Sequence, residues 1–75
     1  MNRRPAKRSV TLQGHRTSVS LEDEFWEALK TLASEQDIAM NALVSEIDAN
    51  RSLDIGLASA LRLYVLRKLT DRLPN

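Results

Sequence analysis

The stretch SVTLQGHRTSVSLE, Ser9 to Glu22, decides the fold, because its two apolar pairs disagree in parity. Val10 and Leu12 fall on even positions, Val19 and Leu21 on odd ones. A strand turns the same side to its neighbour every second residue, so one straight strand cannot put both pairs on one face. His15 to Leu21 alternates cleanly, with Arg16, Ser18 and Ser20 on one face and Thr17, Val19 and Leu21 on the other. Thr and Val favour the pleated state. Residues 9–13 can also extend as a short strand, and Gly14 breaks the pattern between them.

Beyond Leu21 the period changes from 2 to 3.6. Phe25, Leu29, Leu32 and Ala33 lie at helical spacing, with Trp26 and Ala28 widening the stripe, and predict a helix over about 22–36. Its first turn carries Glu22, Asp23 and Glu24, which suits the positive end of a helix dipole. Ser20 with Asp23 three residues on is similar to a capping box, with Asp in the usual place of Glu. A break at 37–39 leads to a second helix over about 40–50, with Leu43, Val44 and Ile47 on one face and Ile38 packing beneath. After a polar connection, Gly56 suits an N-cap, and a third helix is expected over about 57–72. Its stripe is Leu57, Leu61, Tyr64, Val65 and Leu69, and Pro74 stops it. The expected core is Val19, Leu21, Phe25, Trp26, Leu29, Leu32, Leu43, Val44, Ile47, Leu61 and Val65.

The chain has 75 residues, room for one domain. A core of that size is marginal, and with no cysteine to staple it, a second copy is the expected source of additional core. One histidine cannot build a zinc site. The absence of cysteine fits a reducing compartment, and the expected localisation is cytoplasmic. No segment approaches the roughly 18 apolar residues that a membrane span needs. MNRRPAKRSV is not followed by an apolar run, so it does not read as a secretory signal.

The net charge of +1 hides a strong asymmetry: residues 1–18 carry +5, residues 19–50 carry −7 and residues 51–75 carry +3. A basic start ahead of an acidic helical body suits a small module that presents one end to a polyanion. Residues 1–8, with Pro5 and four basic side chains, are expected to form a flexible basic arm, and residues 9–75 a single domain.

A lone strand exposes backbone donors and acceptors on both edges. SVTL could fold back around Gly14, yet QGH is not among the strong two-residue hairpin turns. The simpler expectation is that residues 15–21 pair antiparallel with a second copy about a two-fold axis. Thr17, Val19 and Leu21 then lie on the helices, and Arg16, Ser18 and Ser20 face outward.

The order strand, helix, turn, helix, with the strand's polar face outward, resembles the ribbon-helix-helix superfamily of DNA-binding proteins, the Arc and methionine-repressor type. KRSVTLQGHRTSVSLEDEFWEALKTLA, MNALVSEID and LASALRLYVL together resemble a family of short bacterial ribbon-helix-helix proteins over nearly the whole chain. The resemblance implies a mostly α fold, one N-terminal strand pairing across a homodimer, and three helices. It also implies that the ribbon enters the major groove, which is about 12 Å wide.

By position, the base-reading residues are then Arg16, Ser18 and Ser20. Arginine can bond bidentately to guanine, whereas serine hydroxyls discriminate less. The resemblance also places phosphate at the start of the second helix, where Met40 and Asn41 match the phosphate-contacting residues. Ala39 stands where Ser or Thr usually caps, and Asp37 where the turn usually has Gly; both changes weaken that contact. Arg3, Arg4, Lys7 and Arg8 are expected to contact phosphates and add salt dependence. His15 could touch DNA but suits an ordinary polar position, and Trp26 and Tyr64, at helical spacing, suit core or interface better than base stacking.

There is no Gly-rich phosphate loop, no His/Cys pair and no acid arrangement beyond a charged helix face, so neither catalysis nor a cofactor is expected. The expected function is sequence-specific binding of double-stranded DNA by a homodimer acting as a transcriptional repressor. The alternative is a protein-interaction module or antitoxin-like protein whose third helix binds a partner. An ordered amphipathic helix at 57–72 differs from the disordered tails with which many antitoxins of this type wrap their toxins. Val10 and Leu12 share the parity of Arg16, so residues 9–13 are expected to leave the plane of residues 15–21 at Gly14. A separate short strand packed on the dimer is one form that departure can take.

Overall fold

The computed structural model describes residues 4–74. Two strands, β1 (Ala6–Leu12) and β2 (His15–Leu21), precede three helices, α1 (Asp23–Glu35), α2 (Met40–Asn50) and α3 (Leu57–Thr70). β1 and β2 form an antiparallel hairpin within one chain. This corrects the single-strand expectation: the neighbour of residues 15–21 is β1 of the same chain, and residues 6–8 belong to that strand instead of a flexible arm.

The hairpin also resolves the parity conflict. Opposed residues run from Leu12 and His15 at the turn to Ala6 and Leu21 at the far end, and their numbers always add to 27. That total is odd, so an even-numbered residue of β1 shares a face with an odd-numbered residue of β2. Val10, Val19 and Leu21 therefore all enter the core. Val10, which shares the parity of Arg16, is 2% exposed.

Only Gln13 and Gly14 connect the strands, and both have positive φ, 51° and 82°. That is the backbone of a type I′ turn, whose twist matches the right-handed twist of the strands it joins. Gly tolerates this region freely and Gln does not. Gln13→Asn is accordingly expected to stabilise the fold by up to about 1 kcal/mol, read as a higher urea midpoint. A lowered midpoint would contradict the turn.

α1 starts from Glu22, which has extended backbone and makes no side-chain cap bond. The Ser20–Asp23 capping box does not form, because Ser20 belongs to β2 and lies on its exposed side. The helix ends in a Schellman motif: Ile38 N–H donates to Ala33 O at 3.0 Å, and Asp37 N–H donates to Ser34 O at 3.0 Å. The motif needs a left-handed residue, and Asp37 supplies it at φ 57°. Asp37→Gly should remove this strain and stabilise the domain by up to about 1 kcal/mol, checked by denaturant titration. No gain, or a loss, would show that Asp37 has compensating contacts.

The core is one cluster: Val10, Val19 and Leu21 from the sheet, Leu29, Leu32 and Ala33 from α1, Leu43, Val44 and Ile47 from α2, and Ala60, Leu61 and Val65 from α3. Phe25 and Trp26 are half-buried at its edge. α3 is fastened to α1 at both ends, by Arg62 to Glu22 at 2.9 Å and by an ion pair of Arg72 with Glu35. Gln36, the residue after Glu35, donates from Nε2 to the Tyr64 hydroxyl at 2.7 Å. No helix among the described residues is long and apolar enough to cross a membrane.

Candidate nucleic-acid interface

One face of the hairpin packs on the helices, so alternation leaves the other bare. That outer face holds Lys7, Ser9 and Thr11 from β1 opposite Ser20, Ser18 and Arg16 from β2. All are exposed except Thr11, which is half-buried. Two cations and four hydroxyls share the surface, and no acid does. Lys7 and Arg16 make no ion pair among the described residues, so both charges are available to an anion.

Arg16, Ser18 and Ser20 thus lie together on the outer face. Ser9 and Thr11 join them, and the alternation of β2 alone carries no signal for either. The odd pairing total would have revealed them, but only once the hairpin was accepted. His15 lies on the opposite parity at the turn and is exposed, away from this face.

Arg8 is a correction. Its position in a basic run suggested phosphate contact, but the register turns it to the inner side opposite Val19. There its guanidinium is paired with Asp23, donates from Nη2 to Leu21 O at 3.3 Å, and stacks over the Trp26 ring at 5.4 Å. Its Nε is buried without a hydrogen-bond partner among the described residues. Arg8 is therefore a fastener between hairpin and α1. Arg4 is exposed but not without a partner. Arg3 lies outside the described residues.

The start of α2 lies beside the hairpin. Thr11 N–H donates to Asn41 Oδ1 at 3.2 Å. Because this N–H can only donate, the Asn41 carbonyl must face it, and the amide NH2 is turned elsewhere. Ala39 caps α2 through its backbone alone, leaving first-turn N–H groups without side-chain acceptors. Met40 is half-buried with its side chain against the core, so any anion contact there falls to its backbone.

Ionisation elsewhere supports the scaffold. The Glu22 carboxyl is held below its ordinary range, first by a hydrogen bond from its own backbone N–H and then by Arg62. Glu35 hydrogen-bonds the Arg72 guanidinium and raises its already high pKa. Arg62 also lies over the Phe25 ring at 5.9 Å. These groups tie α3 to α1 and leave the outer face of the sheet alone. No group of three or more acids, histidines or cysteines among the described residues could hold a metal.

A strand with its polar side outward, running directly into helix, turn and helix, defines a ribbon-helix-helix domain. The chain belongs to that family: the model of the ribbon-helix-helix domain matches residues 5–69. No curated protein and no solved structure gave a significant match.

Proposed function

We propose that the protein is a homodimeric, sequence-specific binder of double-stranded DNA that represses transcription, with a binding role and no catalytic step. Ribbon-helix-helix proteins typically bind DNA as dimers. The observation that carries the proposal is the acid-free outer face, where Arg16 lies with Ser18 and Ser20 and makes no ion pair among the described residues.

The open edge of β2 supplies the means of pairing. A two-residue hairpin loop closes on a hydrogen-bonded pair, and such pairs alternate along an antiparallel ladder. With Leu12 and His15 closing the turn, the backbone groups of Arg16, Ser18 and Ser20 point away from β1. No other strand lies beside that edge in the two-stranded sheet. A two-fold axis through Ser18 would let two copies of β2 pair there, with Arg16 of one opposite Ser20 of the other. Their outer faces then form one ribbon that fits the major groove. Asn41 lies beside the hairpin, and in this reading it and the first N–H groups of α2 contact phosphate.

Selecting bound sequences from random duplex DNA tests this directly. A palindromic site is expected, and failure to enrich any sequence would remove the proposal. Light scattering should give the mass of a dimer at micromolar concentration; a folded monomer would remove the paired ribbon.

A second reading is favoured by one observation. α3 exposes Leu63, Leu66 and Leu69, with Leu73 just beyond it, and Leu66 is 59% exposed. Under this reading that side docks a partner protein and DNA binding is weak or lost. The failed enrichment would favour it.

A further inference from the structure

β1 changes the width of the DNA-facing sheet. We propose that β1 is a phosphate-binding rail, with Lys7, Ser9 and Thr11 of each copy lying along the sugar-phosphate walls of the groove that β2 enters. This rests on the proposed reading in which β2 pairs with its copy in the major groove.

The argument is one of dimensions. Neighbouring strands are about 4.8 Å apart, so a sheet in the order β1, β2, β2, β1 spans about 14 Å between its outer strands. The major groove is about 12 Å wide. The two central strands fit inside, whereas the outer two fall over its walls. Chemistry agrees with position. Arg16, which can read a base edge, is on the inner strand, and Lys7, a point charge suited to phosphate, is on the outer one. Ser9 and Thr11 add hydroxyl donors along the same line. The bond from Thr11 N–H to Asn41 Oδ1 closes the outer edge of β1 at that point and joins the rail to the start of α2. The Asn41 amide NH2 extends it. Arg8, between Lys7 and Ser9, is excluded because its register turns it inward.

The division of labour is measurable. Affinity is followed against salt concentration for the selected duplex and for an unrelated one. Lys7→Ala should lower the magnitude of the salt slope by about 2, one phosphate from each copy. It should weaken binding to both duplexes by the same factor, and Ser9→Ala with Thr11→Val should also weaken both equally. Arg67→Ala removes an exposed cation of α3 that makes no ion pair among the described residues, and should leave the slope unchanged. A slope unaltered by Lys7→Ala, while Arg16→Ala still lowers discrimination between the duplexes, overturns the rail and keeps the groove-binding ribbon. If Arg16→Ala also leaves discrimination unchanged, the ribbon itself falls. Lys7, Ser9, Arg16 and Arg67 are exposed and Thr11→Val keeps a β-branched residue, so matching thermal midpoints should confirm that all the variants fold.

Discussion

Val10→Asp is expected to unfold the domain, at a cost above about 4 kcal/mol. Val10 is 2% exposed and lies in the cluster with Val19 and Leu21. A carboxylate there would lose its hydration against the apolar cluster. Ser9→Asp, one residue away, puts the same charge on the exposed side and should change stability by no more than about 0.5 kcal/mol. The contrast isolates the hairpin. Were residues 6–12 a mobile arm, the two variants would behave alike; were Val10 on the same side as Arg16, Ser9 would face inward and the order of the two would reverse. Urea denaturation followed by circular dichroism separates these outcomes, and equal midpoints would remove β1 from the fold.

Arg16→Ala should cost about 1–3 kcal/mol of specific DNA binding, roughly 5- to 150-fold in Kd, with little loss on unrelated duplexes. The guanidinium is exposed, free of ion pairs among the described residues, and set on a face with no acid. Arg16→Lys sharpens the test. It retains the charge and loses the planar fork, so the salt dependence should persist while discrimination falls. Fluorescence anisotropy on the selected and unrelated duplexes measures both quantities. Unchanged affinity of Arg16→Ala for the selected site would end its assignment as a base reader.

The helices were legible because their signals are local. The expected bounds of α2, 40–50, are those observed, and Gly56 caps α3 as its position suggested. The expected and observed limits of α1 differ by one residue at each end. α3 ends at Thr70, two residues short of expectation, and residues 71–72 continue only as a turn. Apolar side chains every three or four residues specify a buried side whatever packs against it. The outward side of β2 was legible for the same reason, since alternation is a property of seven consecutive residues.

Gly14 was recognised as the place where the chain changes direction, but the size of that change was not. Gln at the first turn position is a weak hairpin signal, because an ordinary side chain opposes positive φ. Packing Val10 beside Val19 and Leu21, with a full ladder of strand bonds, outweighs that local cost.

The sequence by itself determined which residues are helical, which side of β2 is polar, and where the chain must bend. Tertiary structure alone decided which strand lies beside β2, and with it the environment of every β1 side chain. The conflict between Val10 and Val19 was the imprint of that decision: a two-residue turn reverses the chain and makes even and odd positions share a face. That is why Arg8, one cation in a basic run, is fastened to Asp23 and Trp26, while Lys7 beside it remains on the outer surface.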